Sequence, residues 1–207
     1  MKRAVNEIGY FETESCAYEG GYVDGKCVSA GYIRKVGEYG NEPSRFAFKD
    51  AFVTYSRIKG LDRLLPNAAR YPVEHKEENM KKFYAQMETW KWYFYEGLKR
   101  NNRLLIDYCL TNYVFFAGRL ILAYNEILFP SYKWFNRVLK DAADKPDRFM
   151  QLVDDVIENK TPEAVESLYN SLIQFQDWYK ASHHWTVQFM ADSQLNWVDG
   201  SVPIIDL

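Results

Sequence analysis

A long apolar stretch from Asn102 to Leu128 constrains the fold more than any other feature of this sequence. Apolar side chains occupy nearly every face of the helix that it predicts, as in a helix surrounded by other helices. Three charged residues interrupt its most membrane-like part, Leu104 to Phe129, namely Asp107, Arg119 and Glu126. Its longest uncharged piece, Tyr108 to Gly118, is shorter than the roughly 20 apolar residues that cross a bilayer. We therefore expect a buried helix at the centre of a helical bundle, and no membrane span.

Four further helices are predicted around this central one. The first carries a core face at spacings of three and four residues, formed by Phe83, Met87, Trp90, Phe94 and Leu98. Ser131 is expected to cap a helix of about Tyr132 to Ala143, and Pro146 to open the next. Thr161-Pro162 starts a last long helix whose inward residues are Val165, Leu168, Tyr169, Leu172 and Tyr179. Five helices with short links predict an antiparallel bundle.

The first sixty residues differ in composition from the rest, since they are rich in Gly and Tyr. Gly20-Gly21 and Asp24-Gly25 are turn signals within them. The β-prone residues around Asp24-Gly25 predict two short strands joined by a tight hairpin turn. A helix from Ala30 to Tyr39 should follow, ended by Gly40 in the left-handed conformation. Ala51 to Tyr55 is a further strand candidate.

The predicted fold is therefore mainly α, an antiparallel bundle of about five helices preceded by a small β-hairpin or α+β remnant. We expect two parts, residues 1–60 and residues 61–207, with the first packed on the bundle.

Composition narrows the class of protein. Hydrophobic residues make up 47% and aromatic residues 17% of the 207, which predicts an ordered chain with an aromatic-rich core. A net charge of −2 provides no basic field for nucleic acid, so no nucleic-acid partner is expected. Cys16, Cys27 and Cys109 are odd in number and form no C-x-x-C pair, which argues against disulfides and zinc. With no visible signal peptide, these features predict a soluble, cytoplasmic protein.

Polar residues on the central helix are the first candidates for a binding site. Asn112, Arg119 and Glu126 are seven residues apart, so they form one polar stripe along the helix. Two readings stay open: a structural network or solvent edge, and polar groups that line a ligand cleft. In the second reading Arg119 is the strongest candidate, because a guanidinium among aromatics suits a carboxylate or a phosphate.

A second set of candidates flanks the predicted junction between helices, where irregular backbone often carries binding groups. It comprises Asn125, Lys133 and Trp134. The alternative is that Lys133 is a solvated charge and Trp134 a core anchor. His183 and His184 are adjacent, which on a helix prevents both from reaching one metal ion, and no metal site is predicted.

Four segments in order along the chain carry a resemblance. They are Glu19–Gly25 (EGGYVDG), Glu42–Ala51 (EPSRFAFKDA), Gly118–Asn125 (GRLILAYN) with Phe129–Trp134 (FPSYKW), and Asp192–Trp197 (DSQLNW). Together they resemble the C-terminal part of bacterial nucleotidyltransferase-domain proteins of the kanamycin nucleotidyltransferase type. In that family a small catalytic sheet domain precedes a helical bundle.

The resemblance implies that the helical part helps to form an acceptor-substrate cleft and often a dimer contact. Arg119, Asn125, Lys133 and Trp134 occupy matching motif positions, which makes them candidates for cleft or interdomain contacts. The family's catalytic motif is Gly-Ser followed by Asp-x-Asp, whose carboxylates hold Mg²⁺ against a triphosphate. No such segment occurs in this sequence, so no catalytic residue is assigned.

The leading hypothesis is therefore a noncatalytic substrate-binding or interaction domain without a cofactor, either truncated or acting with a separate catalytic domain. Its expected partners are a second copy of the chain or that catalytic domain, with a small molecule as a further ligand. One alternative is an active nucleotidyltransferase that uses Mg²⁺ and a nucleoside triphosphate through unconventional acids such as Asp24 or Asp50. The other is a structural helical bundle with no ligand.

Overall fold

Helices dominate the part of the chain that the computed structural model describes, residues 9–14, 16–200 and 204–206, so the protein is mainly α as predicted. The two strands are β1 (Gly9–Glu12) and β2 (Val23–Lys26). The helices are α1 (Ala30–Tyr39), α2 (Glu42–Phe46), α3 (Leu61–Ala68), α4 (Lys76–Lys99), α5 (Arg103–Tyr124), α6 (Phe135–Asp141), α7 (Phe149–Asn159), α8 (Pro162–Phe175), α9 (Trp185–Ser193) and α10 (Asn196–Asp199). Short 3-10 turns lie at Val73–His75, Tyr132–Trp134 and Ile204–Asp206.

The chain divides into two compact units that are discontinuous in sequence. The first unit consists of Met1–Gly40 and Phe48–Arg70, and the second of Asn41–Ala47 and Tyr71–Leu207. The later boundary therefore lies at residue 70 rather than at residue 60. α3 belongs to the first unit because its Ala68 packs in one small core with Ile33 and Val36 of α1.

The strands of the first unit correct the predicted hairpin. Asp24 and Gly25 lie inside β2, which pairs antiparallel with β1, so they do not form a turn. The chain instead turns at the other predicted signal, where Gly20 has a φ of 72° and the Gly21 N–H donates to the Tyr18 carbonyl oxygen at 3.1 Å. A positive φ favours glycine, which explains why the turn forms there.

Two further expectations for the first unit meet different outcomes. α1 spans Ala30–Tyr39 as predicted, with the Ser29 side chain accepting a hydrogen bond from the Tyr32 N–H. Gly40, however, is extended, with a φ of −65°, so the helix does not end in the predicted left-handed conformation. The strand predicted at Ala51 to Tyr55 is wrong, since these residues form an exposed loop.

α5 is the centre of the second unit, as its all-round apolar pattern predicted. Fourteen of its residues are buried, and α4, α6 and α7 all pack against it. By length and composition alone α5 could cross a membrane, but 67% of its most apolar window is buried inside the protein. Core helices surrounded by other helices show the same pattern, so the observation is weak evidence for a membrane span.

α5 ends at Tyr124, before the predicted end near Leu128. Glu126 adopts a φ of 55°, and its N–H donates to the Ala123 carbonyl oxygen at 3.1 Å. The Ile127 N–H donates to the Leu122 carbonyl oxygen at 2.9 Å. These two bonds form the Schellman motif that terminates many helices.

The helices that follow begin and end differently from the predictions. Ser131 has a φ of 69° and provides no side-chain cap, so a 3-10 turn precedes the shorter α6. Thr161 does cap α8, where its side chain accepts from the Ala164 N–H. α8 ends at Phe175, so Tyr179 is exposed, and Trp178 takes the buried position instead, its indole N–H donating to a carbonyl at the end of α8.

Candidate functional site

Arg119, the leading binding candidate, is completely buried in an ion pair with Glu42 of α2. Its side chain is 0% exposed and that of Glu42 is 3% exposed, and Nη2 donates to Glu42 Oε1 at 3.1 Å. The second carboxylate oxygen accepts from the Phe129 backbone N–H at 2.6 Å. Nη1 donates to the Ile205 carbonyl oxygen at 3.2 Å. The guanidinium is therefore held by the protein itself and not presented to a cleft.

Aromatic rings complete the enclosure of this ion pair. The Arg119 Cζ atom lies 4.3 Å from the ring centroid of Phe83 and 4.4 Å from that of Phe129. Burial raises the pKa of the Glu42 carboxyl and lowers that of the Arg119 guanidinium, and the attraction between the two charges opposes both shifts. The structure thus favours the first reading of the polar stripe, a structural network, for Arg119.

The other two members of the stripe also have local partners. Asn112 donates from Nδ2 to the Tyr108 carbonyl oxygen at 2.8 Å, one turn earlier on α5. Glu126 lies past the end of the helix and forms an ion pair with Lys76, whose Nζ is 2.9 Å from Glu126 Oε1. The same Nζ donates to the Tyr124 carbonyl oxygen at 3.0 Å. A cation at this position stabilises the negative end of the helix.

The Asn125 side chain is hydrogen-bonded to the backbone of a loop. Its Nδ2 donates to the carbonyl oxygens of Ile121 and Asp144, at 2.8 and 2.6 Å. Its Oδ1 accepts from the Asp144 N–H at 2.9 Å. This side chain therefore joins the end of α5 to the connection between α6 and α7.

Lys133 and Trp134 lie on the surface, so the alternative in which Trp134 anchors the core is wrong. Both residues are exposed, and the Lys133 Nζ lies 5.2 Å from the Trp134 ring centroid. The Arg137 guanidinium carbon is 5.7 Å from the same ring. Two cations and an indole thus lie together on the surface, where the turn Tyr132–Trp134 meets the start of α6.

Tyrosines and acids join α4 to α8 in a second polar network. Glu166 accepts from Tyr95 Oη at 2.6 Å and from Lys91 Nζ at 2.9 Å. Glu88 accepts from the hydroxyls of Tyr84 and Tyr169 at 2.6 and 2.7 Å. Burial and the Glu88 carboxylate raise the pKa of Tyr169 to about 12, so its hydroxyl stays protonated and donates.

An aromatic pocket that sequence reasoning missed lies between α4 and α9. It encloses about 400 Å³. Its aromatic walls are Trp92, Tyr93, Trp185 and Phe189, and its polar groups are Thr89, Thr186, His184 and Gln194. One sign of it is visible in the sequence, since Trp92 lies outside the core face of α4. No sequence pattern indicates that α9 packs beside α4.

A second, smaller cleft of about 290 Å³ lies between α5, α6 and α7. Phe115, Tyr132 and Phe135 line one side of it, and the carboxyl-bearing residues Asp154 and Glu158 line the other. Tyr132 connects this cleft to the exposed turn that carries Lys133.

Metal-binding groups are scattered over the described part of the chain. Among the described residues no three side chains of His, Cys, Asp or Glu lie close enough to hold a metal ion. Asp24 on β2 and Asp50 after α2, the acids named for an unconventional enzyme, are both exposed. His184 caps α9, where its Nδ1 accepts from the Thr186 N–H at 3.4 Å.

Comparison with known proteins gives no relative. No protein-family model, no curated protein and no solved structure matches this chain.

Proposed function

We propose that this protein is a noncatalytic binding domain whose ligand is a small molecule held in the aromatic pocket between α4 and α9. The observation that carries the proposal is the pocket itself. Its volume of about 400 Å³ falls within the roughly 300–1,000 Å³ of ligand sites, and mostly apolar walls with a few polar groups are their usual lining. This replaces the polar stripe of α5 as the expected site.

Binding of an aromatic compound tests the proposal directly. Isothermal titration calorimetry with 1-naphthalenemethanol, a neutral aromatic alcohol, should show saturable binding. Trp92→Ala should weaken it by about tenfold, since an aromatic wall contributes packing and ring contacts. Trp92 is 47% exposed, so its loss leaves the core intact.

Trp197 is the matched control, because it is 76% exposed and lies outside the pocket lining. Trp197→Ala should leave the binding constant unchanged. Absence of saturable binding, or an equal loss in both variants, would refute the proposal and favour a structural bundle with no ligand.

The sequence resemblance supports a more specific form of the same proposal. In it the protein is similar to the helical part of a nucleotidyltransferase and provides the acceptor-binding side for a separate catalytic domain. The competing proposal is an active enzyme that binds Mg²⁺ and a nucleoside triphosphate through Asp24 or Asp50. Calorimetry with ATP and Mg²⁺ separates the two, because micromolar binding that Asp24→Ala or Asp50→Ala abolishes is expected only of the enzyme.

Self-association is the proposed quaternary state, supported by an apolar loop in the first unit. Phe52 is 81% exposed and Tyr55 is 75% exposed, and Ile58 follows them in the same loop. Neighbouring apolar side chains of this size often mark protein contacts. Light scattering should show a dimer that Phe52→Ser with Tyr55→Ser converts to a monomer, and a monomeric parent protein would contradict the proposal.

The proposed compartment is the cytoplasm. Cys16, Cys27 and Cys109 are all free thiols, and Cys27 is exposed, as is usual in a reducing environment. Cell fractionation with an antibody against the native protein tests this assignment.

A further inference from the structure

A hollow lined by two lysines and two histidines adjoins the aromatic pocket. It encloses about 230 Å³ and is lined by Lys81, Lys180, His183 and His184 together with Tyr84, Ala85, Ala181 and Trp185. His184 and Trp185 line both cavities, so the two share a wall. The two cavities therefore lie side by side.

The carboxylates that pair with these lysines lie outside the lining of the hollow. Glu77 Oε1 is 2.9 Å from Lys81 Nζ, and Asp177 Oδ1 is 3.6 Å from Lys180 Nζ. The Asp177 side chain is 96% exposed, so water screens this pair strongly. Asp192 is half-buried outside this lining, and it accepts a hydrogen bond from the Gln188 amide at 2.8 Å. Among the described residues, the lining of the hollow itself thus has two lysine ammonium groups and two imidazoles, and no carboxylate.

Contacts with Thr186 at the start of α9 orient the His184 ring. Its Nδ1 lies 2.9 Å from Thr186 Oγ1 and accepts from the Thr186 N–H. This leaves Nε2 as the ring nitrogen that a ligand can reach. In the tautomer with an unprotonated Nδ1, Nε2 carries the proton. The imidazole therefore adds a donor at the boundary between the two cavities.

From this juxtaposition we infer that the two cavities form one site for a flat aromatic ring that carries an acidic group. The ring occupies the pocket of Trp92, Tyr93 and Phe189, and the carboxylate or phosphate lies beside Lys81 and Lys180. Aromatic walls provide apolar contact area, and cations beside them provide charge complementarity for the anion. The inference rests on the proposed function and specifies the chemical class of its ligand.

Ligands that share one naphthalene ring system and differ in charge test the inference. The probes are 1-naphthoate and 1-naphthyl phosphate as anions, 1-naphthalenemethanol as the neutral form and 1-naphthylmethylamine as the cation, each titrated by calorimetry at low ionic strength. The better anion should bind about tenfold more tightly than the neutral probe, as expected for two partly solvated charge contacts. Whichever anion binds more tightly identifies the acidic group as carboxylate or phosphate.

The variant Lys81→Met with Lys180→Met should remove the advantage of the anion and leave the affinity of the neutral probe within about twofold. Lys99→Met is the matched control, because its side chain is 70% exposed and lies outside both linings. Equal affinities of the anionic, neutral and cationic probes would overturn the inference while the proposed function stands. Failure of every probe to bind would overturn both.

Discussion

Replacing Glu42 with glutamine should destabilise this protein more than any comparable change of a surface acid. Glutamine has nearly the same size, and its amide oxygen can still accept from the Phe129 N–H that Glu42 binds at 2.6 Å. The charge is lost, however, and Arg119, which is completely buried, keeps its own. A guanidinium enclosed by two phenylalanine rings then loses the counter-charge of Glu42.

The magnitude follows from the burial of the pair. Removing one member of a buried ion pair costs about 3–5 kcal/mol, because the remaining charge stays desolvated. Removing both is far less costly, since an apolar side chain can fill the space between the rings. Arg119→Met alone should therefore destabilise the protein by a similar amount. The double variant Glu42→Gln with Arg119→Met should lose at least about 2 kcal/mol less than the sum of the two single losses.

Urea unfolding followed by circular dichroism and tryptophan fluorescence measures these free energies. A loss of about 3–5 kcal/mol should move the midpoint by about 1–2.5 M for a urea slope of about 2–3 kcal/mol/M, the upper part of the usual range, as suits a chain of this size. Glu126→Gln is the matched control, because its ion pair with Lys76 is 47% exposed on the glutamate side and should contribute no more than about 1 kcal/mol. Additive single effects, or a Glu42→Gln loss no larger than that of the control, would refute the reasoning.

Three other measurements probe different parts of the molecule. Gly118→Ala should cost about 1–3 kcal/mol in thermal unfolding, since the added Cβ would lie 2.4 Å from Phe135 Cζ. Gly31→Ala should be neutral or stabilising, because its Cβ would make only an ordinary contact, 3.6 Å from Ser29 Oγ. Burial raises the pKa of Glu166, but its hydrogen bonds from a tyrosine and a lysine outweigh this and lower it. The stabilisation by the Glu166 carboxylate is therefore present above its unfolded pKa and is lost as pH falls through the lowered folded pKa. The difference in free energy of unfolding between wild type and Glu166→Gln should accordingly shrink on acidification. Burial raises the pKa of Cys109 to about 11, so Cys109→Ser should not change the number of thiols that react with a disulfide reagent in the native state.

The sequence predicted the helices whose signals are local. The all-round apolar pattern of α5 and the Thr161-Pro162 start of α8 both reappear in the structure. The ends of elements were harder, because they depend on backbone conformations such as the positive φ of Glu126. Asp24-Gly25 lies in a strand because β1 pairs along it, a tertiary contact that outweighs local turn preference.

The site could not be predicted because spacing alone does not identify partners. Arg119 was correctly placed among aromatic side chains, but its partner Glu42 is 77 residues away in sequence. The aromatic pocket depends on α9 packing beside α4, and Trp92 and Trp185 are far apart along the chain. Such pairings follow from the whole fold and have no signature in a single helix.

The discontinuous division of the chain limits how the protein can be dissected. Asn41–Ala47 belongs to the second unit but lies between two segments of the first. An expression fragment that begins at Tyr71 would therefore include every helix from α4 onward and still omit Glu42. Workers who seek the helical half alone would have to retain that heptapeptide, by fusing it to the fragment or by adding it as a synthetic peptide.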